Sequence, residues 1–176
     1  MAENLPGAGD THAGRIAIKP HLLRYVQWRE GLRDAATPLV VPGLGPIAEV
    51  LAMLLVDDRT YLNSQPLRGV DAYTETLHYV ISDRSMPSAR RFVTDEGTLH
   101  FNRFLQQLLN DDIFFRAKEA EKARKQQKTV IEEFLQATGL DEWLEFDSLP
   151  KIQTRLKQLR SGASVQGYAR LVLAVA

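Results

Sequence analysis

From Asp111 to Leu135 the chain runs for 25 residues without a Gly or a Pro. Nothing in such a run interrupts a helix, so this part of the protein has to be largely helical. Ile113, Ala117, Ala120, Arg124, Gln127, Ile131 and Phe134 follow one another at alternating steps of four and three, the heptad spacing that keeps side chains on one face. Its middle positions, Ala120, Arg124 and Gln127, do not continue an apolar seam, which excludes one unbroken coiled-coil stripe. The pattern predicts a long helix with an exposed middle, or two helices joined end to end.

Other segments show the helical period. Leu22, Leu23, Val26 and, weakly, Trp28 give a helix behind Pro20 an apolar face that ends near Gly31. Behind the turn Pro42-Gly43-Leu44-Gly45-Pro46, the residues Ile47, Val50, Leu51, Leu54 and Leu55 recur as a core-facing helix would require. Thr94-Asp95-Glu96 supplies a cap and acids for a helix carrying Phe101, Phe104, Leu105, Leu108 and Leu109. Gly139 is placed to end a segment from Val130 to Thr138. Asp141 to Phe146 reads as a short turn of helix around Trp143 and Leu144. Asp147 or Ser148 caps a last helix, in which Leu149, Ile152, Leu156 and Leu159 share a face and Gly162 is the stop.

Extended runs are fewer. Arg15 to Lys19 and Pro38 to Val41 read as short strands. Thr74 to Ser82 alternates through Leu77, Tyr79 and Ile81, and Ala89 to Val93 is its expected hairpin partner. Asp57 to Tyr73 reads as loop. The expected fold class is mainly α with a few short β-strands (α+β) and a helical C-terminal third. Residues 1–14 are expected to be a flexible tail and 15–162 a single mainly helical domain, with a C-terminal helical module at about 128–162. Residues 163–176 are small and apolar, a tail suited to adding a strand.

Composition narrows the classes of function. The 176 residues carry 22 Lys+Arg against 22 Asp+Glu, a balance that argues against a globally basic nucleic-acid coat. With no Cys there is neither a disulfide nor a thiolate nucleophile, which suits a reducing, cytoplasmic setting. The start lacks the basic and apolar regions of a signal peptide, and no apolar run approaches the ~20 residues that span a bilayer. A cytoplasmic protein with no membrane partner is therefore expected.

No enzyme signature emerges. His12, His21, His78 and His100 are far apart and show no metal-ligand spacing. Ser64 and Ser82 stand in no nucleophile elbow. The acid pairs Asp57-Asp58, Asp95-Glu96, Asp111-Asp112 and Glu132-Glu133 read as helix-start electrostatics or solvated faces. The glycine turn before Ile47 lacks the Lys-Ser or Lys-Thr of a nucleotide loop, and its prolines remove donors, so it reads as a plain turn. The expectation is a non-enzymatic protein with no catalytic residue, metal or cofactor.

Charge is unevenly spread. Residues 1–115 hold 11 basic and 14 acidic side chains, whereas residues 116–160 hold 10 basic and 8 acidic. Arg116 to Lys128 contains six basic residues against Glu119 and Glu121, and Lys151 to Arg160 contains four and no acid. On the last helix Lys151, Arg155 and Gln158 line a face away from the leucines, with Lys157 and Arg160 beside them. Arg holds guanine or phosphate through a bidentate fork and Gln pairs with an adenine edge. The expected nucleic-acid-binding residues are Lys151, Arg155, Lys157, Gln158 and Arg160, with Lys122, Arg124, Lys125 and Lys128 giving non-specific contact. The plain alternative is an amphipathic helix whose cations face solvent. Arg84, Arg90 and Arg91 form a secondary basic spot without aromatic interleaving.

The order Ile18-Lys19-Pro20-His21-Leu22, then Phe101-Asn102-Arg103-Phe104, then Ile131-x-x-Phe134-Leu135-x-x-x-Gly139-Leu140 resembles that of small uncharacterised proteins of bacterial phages and mobile elements. The resemblance covers most of residues 15–160. Members of that group likewise follow the last segment with an acidic stretch and a basic helix. The final basic helix here is shorter and less Arg-rich. What the resemblance implies is an accessory or regulatory role on nucleic acid, with no catalytic residue and no cofactor. The leading expectation is a small intracellular DNA-associated accessory or regulatory protein. The rival is a protein–protein interaction or assembly module, homo-oligomeric or partner-binding, using the faces Phe101–Leu109 or Leu149–Leu159.

Overall fold

The polar middle of the heptad run is where the chain turns. A computed structural model describes residues 12–43, 45–67, 69–70, 73–81 and 90–143. In it the run becomes two helices, α4 (Asp95–Lys122) and α5 (Gln127–Thr138). Ile113, Ala117 and Ala120 are buried on α4 and Ile131 and Phe134 on α5, while Arg124 and Gln127 flank or occupy the turn. Arg116 sets its guanidinium 4.3 Å from the centre of the Phe134 ring, which shows α5 folding back along the end of α4. Of the two alternatives open in the sequence, two helices is the one adopted.

The described residues form two compact units, divided within α4 between Arg103 and Phe104. The first begins with strand β1 (His12–Ile18) and helix α1 (Pro20–Glu30), followed by β2 (Leu39–Val41) and α2 (Pro46–Leu54). Then come β3 (Leu55–Asp57), the short α3 (Asp58–Leu62), β4 (Glu75–Ile81) and β5 (Arg90–Val93). Strand β4 lies between β1, antiparallel to it, and β2, parallel to it. Alternation gives this sheet one buried face: Ile16, Ile18, Leu39, Val41, Leu77, Tyr79 and Ile81. Helix α1 buries Leu22, Leu23, Tyr25 and Val26, and α2 buries Ile47, Ala48 and Leu51. Pro20 and Pro46 open their helices, as expected of a residue with no N–H to leave unpaired.

The α+β class, mainly helical with a few short strands, is the one observed. Three local expectations are corrected. Strand β1 starts at His12, so residues 12–14 are not tail: His12, Ala13 and Gly14 pair with Ile81, Val80 and Tyr79. The strand at Arg90–Val93 does not form a hairpin with β4. Both edges of β4 are taken, and β5 pairs with β3 instead, Leu55 opposite Val93. That partner exists because α2 stops at Leu54 and the next residue is extended. Leu55 is 1% exposed as a strand residue, so leaving the helix costs it no burial. Finally, the expected loop after Asp57 begins with α3, whose cap is the Asp57 carboxylate accepting from the Thr60 N–H at 2.7 Å.

Asn102, 2% exposed, ties the start of α4 to the first strand. Its Nδ2 donates to the carbonyls of Ala17 (3.0 Å) and Thr98 (2.9 Å). Its Oδ1 accepts from the Lys19 N–H at 3.1 Å, so the Ile18-Lys19-Pro20 and Phe101-Asn102-Arg103 segments meet in space. Among the described residues no helix is long and apolar enough to cross a membrane.

Candidate nucleic-acid interface

The turn between α4 and α5 is built by the end of α4 itself. The Lys125 N–H donates to the Ala120 carbonyl (2.9 Å) and the Arg124 N–H to the Glu121 carbonyl (3.2 Å), satisfying acceptors that a helix end otherwise leaves open. The pattern requires a left-handed residue, and Arg124 takes it at φ 55°. Helices α1 and α5 end in the same way with glycines, Gly31 (φ 65°) and Gly139 (φ 64°). A side chain in that conformation costs roughly 1–2 kcal/mol. Among the described residues, Arg124 is the one left-handed helix end that is not a glycine.

Around it Lys118, Lys122, Arg124, Lys125 and Lys128 are all exposed. Lys118 is 2.9 Å from Glu121, and Lys128 is 3.7 Å from Glu132. Lys122, Arg124 and Lys125 form no ion pair with a described residue. The exposed Glu119 lies one turn back on α4. The structure therefore brings three of the expected contact residues into one four-residue elbow, and the fourth, Lys128, to the first turn of α5. Lys151, Arg155, Lys157, Gln158 and Arg160 lie outside the described residues. So do Arg84 and the helix expected at Leu149–Leu159.

The glycine turn before α2 faces a carboxylate. A Cβ added at Gly45 would lie 2.9 Å from Glu30 Oε1, so an acid already stands where an anion would approach the helix start. Burial pushes the Glu30 carboxyl above its ordinary range, with Arg29 pulling the other way.

A concave surface lies in the first unit, at residues whose spacing in the sequence predicts no site. Gly14 sits opposite Tyr79 in the β1–β4 register, and a side chain at Gly14 would collide with the Tyr79 ring. The bare glycine lets that ring lie across β1 and donate its hydroxyl to the Arg91 carbonyl on β5 at 2.9 Å. Burial, and secondarily the neighbouring Tyr61, pushes the Tyr79 phenol up to about 12, so it stays a donor at neutral pH. This wall closes one side of a groove of about 610 Å³, lined also by His12, Arg15, Tyr61, His78, Arg91 and Phe92. Arg15 and His78 oppose each other across the ladder. Tyr61 stacks on Phe92 with centroids 5.1 Å apart. The sequence hides this cluster because residues 57–73 read as loop, whereas 58–62 form α3, and because β5 reads as a hairpin partner of β4, whereas it pairs with β3. The nearest signal in the sequence is Arg91, as one of the secondary basic spot Arg84, Arg90 and Arg91.

Among the described residues no three His, Asp or Glu side chains group as a metal site would require. No protein-family model matches the chain, and no curated protein and no solved structure is similar to it.

Proposed function

We propose that this is a small DNA-associated accessory or regulatory protein, acting in the cytoplasm without catalysis of its own. In this reading the elbow between α4 and α5 grips the phosphate backbone. The observation that carries it is the exposed trio Lys122, Arg124 and Lys125, unpaired with any described acid and held in part by a left-handed arginine. Phosphate contacts of this kind give affinity and registration without sequence reading. Base recognition belongs to Arg155 and Gln158, from the sequence pattern alone.

Duplex binding measured against NaCl concentration tests the reading. Each phosphate contact adds about 0.9 to the log–log salt slope. Changing Lys122, Arg124 and Lys125 together to Ala is expected to flatten the slope by about two to three units, and Arg155→Ala by a further unit. Absence of duplex binding at low salt overturns the proposal.

The rival reading, a partner-binding module, has one observation in its favour: Phe115 is 56% and Trp143 49% exposed in the second unit. Of its two expected surfaces, Phe101–Leu109 has Phe101, Leu105 and Leu109 fully buried, and Leu149–Leu159 lies outside the described residues. Light scattering after size exclusion distinguishes the two: self-association lost in Phe115→Ser supports the module.

A further inference from the structure

The groove beside β1 combines features that no single structural role requires. Among the described residues that line it, the charged side chains are Arg15 and Arg91, and none is Asp or Glu. His12 and His78 add imidazole donors. Tyr61, 42% exposed, presents ring surface beside Phe92. The Tyr79 wall is held by its own hydrogen bond and by the absence of a side chain at Gly14.

We propose that this groove binds a nucleotide unit, a phosphate joined to a stackable ring, with Arg15 on the phosphate and Tyr61 on the ring. The chemistry selects that class. A purely apolar ligand would strip water from the guanidinium of Arg15 without replacing it, and an anion without a ring would leave the Tyr61–Phe92 platform idle. Guanidinium forks match phosphate oxygens, and aromatic faces stack any base. The volume lies within the usual ~300–1,000 Å³ of small-molecule sites. The unit can arrive as a free mononucleotide or within a single strand of nucleic acid. The groove shares no residue with the α4–α5 elbow, so each surface stands or falls by its own variants.

Two titrations of the full-length chain at low salt test this, one with AMP by calorimetry and one with fluorescein-labelled (dT)12 by anisotropy. The oligonucleotide arm is run on the Lys122, Arg124 and Lys125 to Ala background, which removes the elbow. Arg15→Ala and Tyr61→Ala, both at exposed positions, are expected to weaken binding about tenfold each, with unchanged far-UV circular dichroism. Tyr61→Phe keeps the ring and is expected to retain affinity within about twofold. On the oligonucleotide, Arg15→Ala also flattens the salt slope by about 0.7. AMP binding that depends on Arg15 and Tyr61 identifies a mononucleotide site; oligonucleotide binding alone with that dependence identifies a single-strand site. The proposal is overturned if neither probe binds, or if both alanine variants bind as the parent does. Loss of all oligonucleotide binding in the elbow background, with no heat from AMP, also overturns it while leaving the elbow reading intact.

Discussion

Tyr79 shows how much one residue can organise. Its ring needs the space that Gly14 leaves, and its hydroxyl needs the Arg91 carbonyl. Gly14→Ala is expected to destabilise the fold by about 1–3 kcal/mol, the usual cost of overpacking, and Tyr79→Phe by about 0.5–1.5 kcal/mol for one lost hydrogen bond. Denaturant midpoints at constant slope check both. The phenol also sets a pH window. Because its value is raised from 10.0 to about 12, the neutral form is favoured in the folded state. The stability it contributes is complete below pH 10 and is lost as pH rises toward 12. Ultraviolet titration should show a tyrosine step above the ordinary range, and Tyr79→Phe should remove it. Glu30 carries the same sign at lower pH. Its raised carboxyl stabilises the fold fully below about 4.5 and less as pH rises through the shifted value. Glu30→Gln should therefore raise Tm at pH 7, with the advantage disappearing in acid.

At the scale of elements, helix ends decide the architecture. Among the described residues three helices end in a left-handed residue, and only the α4 end uses a side chain there. Arg124→Gly removes the left-handed penalty and a cation together. Its backbone relief is offset by the unfolded-state entropy of Gly, so stability should change by less than about 1 kcal/mol. Duplex salt dependence should nonetheless fall by about one unit. A large loss of stability instead would mean that the guanidinium holds the turn rather than a ligand. The starts of α1 and α2 and the stops of α1 and α5 were legible, because Pro20, Pro46, Gly31 and Gly139 act through neighbouring backbone alone. Strand pairing was not. Leu54-Leu55-Val56 suits a helix face and a strand equally, and β5 differs from a hairpin partner of β4 only through what else lies beside β4.

For the whole molecule, the zero net charge and the pI near 6.9 predict a solubility minimum close to neutral pH. Duplex affinity should not follow it. Ammonium and guanidinium groups remain charged between pH 6.9 and 8, so a local site keeps its phosphate contacts while the net charge turns negative. Affinity measured at the two pH values should agree within about threefold, whereas a protein held by its net charge would release the duplex. The excess of cations from Arg116 to Lys128 was legible at this scale, since it is a count along the chain. The groove was not, since its residues come from β1, α3, β4 and β5 and share no spacing.

The sequence by itself determined α1, most of α2 and the apolar segments of α4 and α5, the buried alternation of β4, and the basic character of the region after Arg116. These follow from period, from Gly and Pro, and from charge, all of which act within a few residues. Only the tertiary structure decided where the heptad run turns, which strand β5 joins, and that Arg15, Tyr61, His78 and Phe92 share one groove. Those outcomes depend on competition between distant segments for the same backbone partners and the same space beside Tyr79, and no local pattern encodes the winner of that competition.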